Sequence, residues 1–201
     1  MIRLTETNLG DLVADAYRAA GETDIGVAGG GGIRGRYPKG EITNGNIIDI
    51  LPFDNDLAVV EMTGQQILDM LEWGSHRLPA EFGGFLQVSG LTYEIDVSVP
   101  SGCKKNEDGK LIKIEGPRRV KNVKVGDEPI DPDKKYTLAG SNFILLKYGD
   151  GFTCFKDAKV LQESNGTIEQ ALLEYIRDSL GGTIGSEYAD PYGQGRIVIK
   201  E

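Results

Sequence analysis

Four consecutive glycines close an apolar segment and lead to an arginine. Asp24 to Ala28 reads as a short strand, and Gly29-Gly30-Gly31-Gly32-Ile33-Arg34 follows it directly. This run constrains the fold more than any other stretch. Glycine loses more backbone freedom on ordering than any other residue type. Four in a row therefore persist where backbone passes very close to another backbone or to a ligand. A guanidinium at the end of such a loop is placed to meet a phosphate, a carboxylate or another polar ligand edge. Two readings stand here: a ligand-facing loop, or a close-packed turn capped by a surface arginine. The common phosphate loops do not fit. A Walker A sequence ends in Gly-Lys-Ser/Thr, and the Rossmann fingerprint needs a helix after its glycine turn, whereas residues 35–40 are polar and turn-rich.

Around this loop, hydrophobic periodicity predicts a mixture of helices and strands. Thr7 or Asn8 caps a helix that runs to about Gly21, with Leu9, Leu12, Val13, Ala16 and Ala20 as its apolar stripe and Gly21 as its stop. Asn44 to Leu51 is a short helical or mixed segment ended by Pro52. Leu57 to Met62 reads as a buried strand, and Thr63 with Gln66 makes a capping box for a helix carrying Ile67, Met70 and Leu71. Phe85 to Gly90 precedes an alternation at Leu91, Tyr93, Ile95 and Val97 that marks a half-buried strand. Leu111 to Ile114, Val120 to Val125, Tyr136 to Ala139 and Gly195 to Ile199 read as further strands. Pro100 to Lys110 reads as an exposed hairpin loop and Asp127-Glu128-Pro129 as a turn. A second capping box, Thr167 and Gln170, opens the last long helix, with Ile168, Leu172, Tyr175 and Ile176 on one side and Gly181 beyond its end. There is no regular βαβ alternation. The expected fold class is α+β, a layered mixed or antiparallel sheet with helices, in one domain over residues 1–201.

Composition excludes several functions. A chain of 201 residues with 39% hydrophobic and 26% charged residues can bury a real core. A net charge of −9 argues against a nucleic-acid partner, which needs a basic footprint, but leaves room for a small anion held by a few arginines. No apolar run is long enough to span a bilayer and no signal peptide opens the chain, so no membrane insertion is expected. Met1-Ile2-Arg3-Leu4 reads as an interior start, which leaves the compartment open. Cys103 and Cys154 allow one disulfide or two unpaired thiols. The single His76 matters more, since a hydrolytic zinc or di-metal site draws on several histidines. A Ser-His-Asp or Cys-His arrangement would have to use His76, which reads as an exposed residue at a helix end. The 31 acidic residues show no spacing that marks a catalytic carboxylate pair. No catalytic residue, metal ligand or cofactor is expected within this chain.

Three segments pair a ligand-capable side chain with glycine: the loop ending in Arg34, Gly83-Gly84-Phe85-Leu86-Gln87, and Asn142-Phe143 with Gly149-Asp150-Gly151. Two phenyl rings outside apolar runs, Phe85 and Phe143, can form a slot for a flat heterocycle, where stacking contributes roughly 1–3 kcal/mol per base. Asp150 between two glycines can accept hydrogen bonds from a vicinal diol, as acidic residues do in other nucleotide sites. The plain alternatives are two core phenylalanines and a turn.

Taken together, these segments resemble the C-terminal domain of the 5′-nucleotidase family, which includes UDP-sugar hydrolases and ecto-5′-nucleotidases. The matching stretches are Thr7-Asn8-Leu9-Gly10-Asp11-Leu12, Gly30-Gly31-Gly32-Ile33-Arg34, Leu51-Pro52-Phe53, Met62-Thr63-Gly64, Phe85-Leu86-Gln87-Val88-Ser89-Gly90, and Asn142-Phe143 with Gly149-Asp150-Gly151-Phe152. They occur in the family's order, from about Arg3 to Ile199. The resemblance implies a substrate-binding domain without its N-terminal metallophosphoesterase domain. That partner, in the same polypeptide, would hold two divalent metal ions and hydrolyse nucleotide phosphate esters, and this chain alone would be inactive. It implies that Phe85 and Phe143 sandwich the base of an adenosine- or AMP-like ligand, with Gln87 near its edge and Asp150 on the ribose hydroxyls. Arg3 and Arg34 would contact the phosphate end, and Asn142 and the backbone of Gly30, Gly31 and Gly32 complete the expected binding set. An extracytoplasmic location is implied as well. Two departures stand out. Gly29 replaces an Asn or Ser frequent in the family, and Tyr148 precedes Gly149 where a further glycine is common. They motivate an alternative, a non-catalytic cell-surface interaction module that retains the fold.

Overall fold

The computed structural model describes residues 1–35 and 39–200. Residues 36–38, inside the polar stretch expected to hold no helix, and residue 201 lie outside the described part. Helix α1 (Asn8–Gly21) begins where the Thr7 hydroxyl accepts the Gly10 N–H at 3.1 Å. It ends at Glu22, which takes the left-handed conformation (φ 50°), not at the expected Gly21. Gly21 is instead a packing glycine inside the helix: a Cβ there would lie 2.6 Å from the Ala139 methyl. Strand β1 (Ile25–Gly29) leads into the glycine loop, and α2 (Asn44–Ile50) opens on a Thr43–Asn46 capping box. Strand β2 (Leu57–Thr63) runs into α3 (Gly64–Ser75) through the expected Thr63–Gln66 box, with Thr63 N–H donating to Gln66 Oε1 at 2.8 Å.

Strands β3 (Leu86–Ser89) and β4 (Leu91–Asp96) follow, then the hairpin β5 (Cys103–Lys105) and β6 (Leu111–Ile114). The polar stretch expected as loop thus contributes β5, because β6 supplies its pairing partner. Strands β7 (Val120–Val125), β8 (Glu128–Pro129) and β9 (Lys135–Ser141) precede the short α4 (Asn142–Leu145). The expected turn at 127–129 includes β8, which extends the sheet for two residues. Strand β10 (Lys159–Gln162), α5 (Ile168–Glu174) and β11 (Ile197–Lys200) complete the chain. Only half of the second capping box forms. Thr167 Oγ1 accepts the Gln170 N–H at 3.2 Å, while the Gln170 amide turns away to donate to Glu174.

Five strands form the central sheet in the order β10-β2-β9-β1-β3, antiparallel except for the β1–β9 pair. A second sheet, β11-β4-β7-β8, is antiparallel except for β11–β4. Strict alternation along β2 divides the core. Ala58, Val60 and Met62 join a cluster with α3 and the second sheet, which also holds Trp73, Phe152 and Phe155. Leu57 and Val59 point to the opposite face, under α1, α2 and α5. Helix α1 lies so close to β1 that a Cβ on Gly26 would sit 2.3 Å from the Ala14 carbonyl oxygen. A polar joint fastens α1 to the end of the chain. Arg196 forms a two-pronged pair with Asp15 at 2.8 Å, and the buried Glu6 carboxylate accepts the N–H groups of Gln194 and Ile197 at 2.5 and 2.6 Å.

Candidate functional site

A cleft of about 530 Å³ opens beyond the carboxyl ends of β1 and β9. That is where the parallel part of a sheet leaves its connecting loops free to surround a ligand. Gly31, Gly32 and Arg34 reach it from the loop after β1, and Ser141 and Phe143 from the end of β9 and the start of α4. Phe53 and Asn55 enter from the segment after α2, and Arg3 from the first residues of the chain. Phe53 and Phe143 are each 42% exposed, unusual for phenyl rings. The Arg34 guanidinium sits over the Phe53 ring, 5.4 Å from its centroid, in reach of a cation–π contact. The Phe143 ring rests on the backbone of Gly149, where a Cβ would come within 2.3 Å of it.

Asp150 lines the cleft from a tight turn in which Tyr148 (φ 54°), Asp150 (φ 52°) and Gly151 (φ 80°) all take positive φ. Aspartate tolerates this region better than most residues. The single tryptophan holds the turn: Trp73 Nε1–H donates to the Asp150 carbonyl at 3.0 Å. The carboxylate lies beside Gly83, where a Cβ would be 3.5 Å from Oδ2. Partial burial lifts the Asp150 carboxyl above its ordinary range, and Arg3 opposes the rise.

The glycine run is close-packed and lines the cleft at once. Gly30 N–H donates to Phe85 O at 2.8 Å, Gly31 N–H to Gly83 O at 2.7 Å and Gly32 N–H to Gly29 O at 2.9 Å. A Cβ on Gly30 would strike the Ile2 carbonyl at 2.1 Å, and one on Gly31 would lie 2.9 Å from Gly83 Cα. These three amides, expected to face a ligand, are engaged by protein carbonyls. Gly29 has a packing reason too, since the Ile144 side chain comes within 2.7 Å of where its Cβ would be.

Three further expected ligand contacts lie elsewhere. Phe85 is 1% exposed and sits in the cluster beneath the central sheet, so it forms no wall of the cleft. Gln87 is 0% exposed and bonds the backbone of Thr7, Ile2 and Thr5. Asn142 does not line the cleft; its N–H donates to Asp56 O at 2.8 Å, and its Oδ1 is buried without a partner. Tyr148, one of the two departures from the family pattern, packs against the hydrophobic cluster. Phe53, not among the expected ligand contacts, also lines the cleft. It follows Pro52 outside any periodic apolar run, a position where the sequence itself marks an exposed ring.

His76 is half-buried, not exposed. It stacks on Trp73 at 3.9 Å between ring centroids, and burial pulls its pKa down to about 4. Cys103 and Cys154 are both free thiols, and burial pushes Cys154 up to about 12. Among the described residues, no group of three or more His, Cys, Asp or Glu is placed to hold a metal ion. No helix among them is long and apolar enough to cross a membrane.

Residues 1–157 match the family described as 5′-nucleotidase, C-terminal domain. The chain is similar to the trifunctional nucleotide phosphoesterase protein YfkN of Bacillus subtilis, 37% identical over 98% of this chain but only 12% of that protein. It is similar to protein UshA of Escherichia coli, 29% identical over 80% of this chain and 27% of UshA. The chain thus spans a small part of the curated relatives it matches. Among solved structures, the 5′-nucleotidase precursor from Thermus thermophilus superposes with a TM-score of 0.82 at 32% identity, over 99% of this chain and 36% of that one.

Proposed function

The chain belongs to the 5′-nucleotidase C-terminal domain family, and from this premise we propose that it holds the nucleoside of a nucleotide whose phosphate ester is hydrolysed elsewhere in a longer, extracytoplasmic polypeptide. The hydrolysis and its two divalent metal ions belong to a metallophosphoesterase domain, and the cleft supplies recognition. In this reading the base lies against Phe53 and Phe143, Asp150 accepts hydrogen bonds from the ribose hydroxyls, and Arg3 and Arg34 meet the phosphate end. The observation that carries it is two half-exposed phenyl rings, from distant parts of the sequence, lining one cleft with two guanidinium groups. Gly29, which motivated the alternative of an interaction module, has its own explanation in the contact with Ile144.

The test is a titration of the chain with adenosine and with AMP, following the ring resonances of Phe53 and Phe143. Saturable shifts are expected at a weak affinity, about 4 kcal/mol or somewhat more, as befits an open site. No phosphate release from AMP is expected with added manganese. Absence of saturable shifts at both rings would sink the reading.

A further inference from the structure

Gln87 stands outside the cleft, yet its side chain is fully buried and all of its bonds run to one segment. Oε1 accepts the Thr7 N–H at 3.0 Å, and Nε2 donates to the carbonyls of Ile2 at 3.1 Å and Thr5 at 2.9 Å. These partners bracket Arg3. Helix α1 starts only at Asn8, and within residues 1–5 the turn is held by Leu4 and Thr5 N–H donating to Met1 O at 2.7 and 3.0 Å. The rest of the segment's course is set from outside. Phe82 N–H donates to the Arg3 carbonyl at 3.2 Å, and Gly30 lets the Ile2 carbonyl press against the glycine loop. Gly10 vacates the space that Gln87 fills, since a Cβ there would lie 2.1 Å from Oε1. Only an amide meets this demand for one acceptor and two donors, because a carboxylate offers no donor and an apolar side chain offers neither.

We infer that Gln87 is a positioning residue: by clamping Ile2, Thr5 and Thr7 it holds the Arg3 guanidinium at the phosphate end of the cleft. This deepens the function proposed above and rests on it. The experiment compares AMP with adenosine as ligands of the unchanged chain, Arg3→Ala, Gln87→Met and the double variant. Arg3→Ala is expected to weaken AMP about tenfold or more, the scale of a lost charge-assisted contact. Adenosine, which lacks the phosphate, should change by less than about twofold, as for a ligand sharing no contact with Arg3. Gln87→Met should reproduce that split in milder form, and add nothing once Arg3 is gone, because residues acting through one contact are not additive. Equal weakening of both ligands means that Gln87 supports the whole cleft, and a further loss in the double variant means that it acts apart from Arg3. Either result overturns the inference. If Arg3→Ala leaves AMP binding unchanged, there is no contact to position and the inference falls, while the aromatic part of the proposed function stands. If neither ligand binds the unchanged chain, the proposed function falls and takes this inference with it. Should Gln87→Met fail to fold, Gln87→Asn keeps a neutral amide but is one methylene too short to hold all three partners, and is expected to give the same split between ligands.

Discussion

Phe53 and Phe143 are each 42% exposed, whereas Phe85 is 1% exposed. The three rings should therefore respond differently to truncation. Phe53→Ala and Phe143→Ala are each expected to weaken adenosine binding by about 1–3 kcal/mol, the stacking contribution of one base on one ring. Their melting temperatures should stay close to that of the unchanged chain. Phe85→Ala should instead lower stability by about 3–5 kcal/mol through the cavity it leaves. Calorimetric titration beside thermal melts separates the outcomes, and a Phe53→Ala chain that binds normally would remove that wall from the site. Local sequence misled on Phe85 for a physical reason. Gly84 before it looks like a loop glycine, but a Cβ there would lie 2.6 Å from the Phe82 ring and 2.8 Å from Phe152. Aromatic crowding in the core, not proximity to a ligand, keeps that residue small. His76 carries a second expectation. Burial holds its imidazole neutral down to about 4, while the unfolded chain takes up its proton near 6.5. The folded state thus binds fewer protons in that interval, so stability is present above about 6.5 and lost as pH falls towards 4. The Cε1 proton of His76 followed by NMR should titrate near 4; a midpoint near 6.5 would contradict the stacked, desolvated ring.

At the scale of elements, caps and periodicity were legible because they act within a few residues. The Thr7 and Thr63 caps and the alternation of β2 need only their neighbours in sequence. Strands β5, β8 and β10 are short and half or fully exposed, and each exists because a partner strand stands beside it. The joint between α1 and the C-terminal segment was illegible for the same reason, since Glu6 and Asp15 bond residues there, Tyr188, Arg196 and Ile197, that lie 173 to 191 positions away. Two carboxyl groups, Asp11 and Asp15, meet one guanidinium there, with a third, Glu6, close by. Asp15 is paired with Arg196, and Glu6 is held by two backbone N–H groups. Asp11, fully buried, accepts the Gln194 N–H through Oδ2 at 3.0 Å, while its Oδ1 accepts no hydrogen bond and faces Arg196 Nε at 3.8 Å. Burial pushes the Asp11 carboxyl up to about 8, reinforced by Glu6 and opposed by Arg196. The folded chain keeps a proton that the unfolded chain releases near 4. Stability is therefore present at low pH and lost as pH rises through about 8. Asp11→Asn should flatten this fall between pH 5 and 9, measured by denaturant unfolding at each pH. An unchanged slope in the variant would show that the proton resides elsewhere.

On the scale of the molecule, composition and pattern indicated an α+β architecture, but not which strands are neighbours. The parallel β1–β9 pair joins segments that local rules treat independently, and the cleft depends on that pairing because its walls leave the carboxyl ends of both strands. The same sheet divides the core into two clusters, and β1, β2 and β9 contribute side chains to both. Neither cluster can lose its sheet face without exposing the other. The two layers should therefore unfold together, as one cooperative transition. The chain offers a separate probe for each. Its single tryptophan, Trp73, lies in the cluster with α3, while α1 and α5 cover the opposite face. Trp73 fluorescence reports one layer, and far-UV circular dichroism draws most of its signal from helices, including those on the other. Leu57→Ala, in the layer remote from Trp73, should destabilise by about 2–5 kcal/mol. It should move the fluorescence and dichroism midpoints by the same amount in denaturant. If the fluorescence midpoint stays in place while the dichroism midpoint shifts, the layers melt separately and the shared sheet does not couple them.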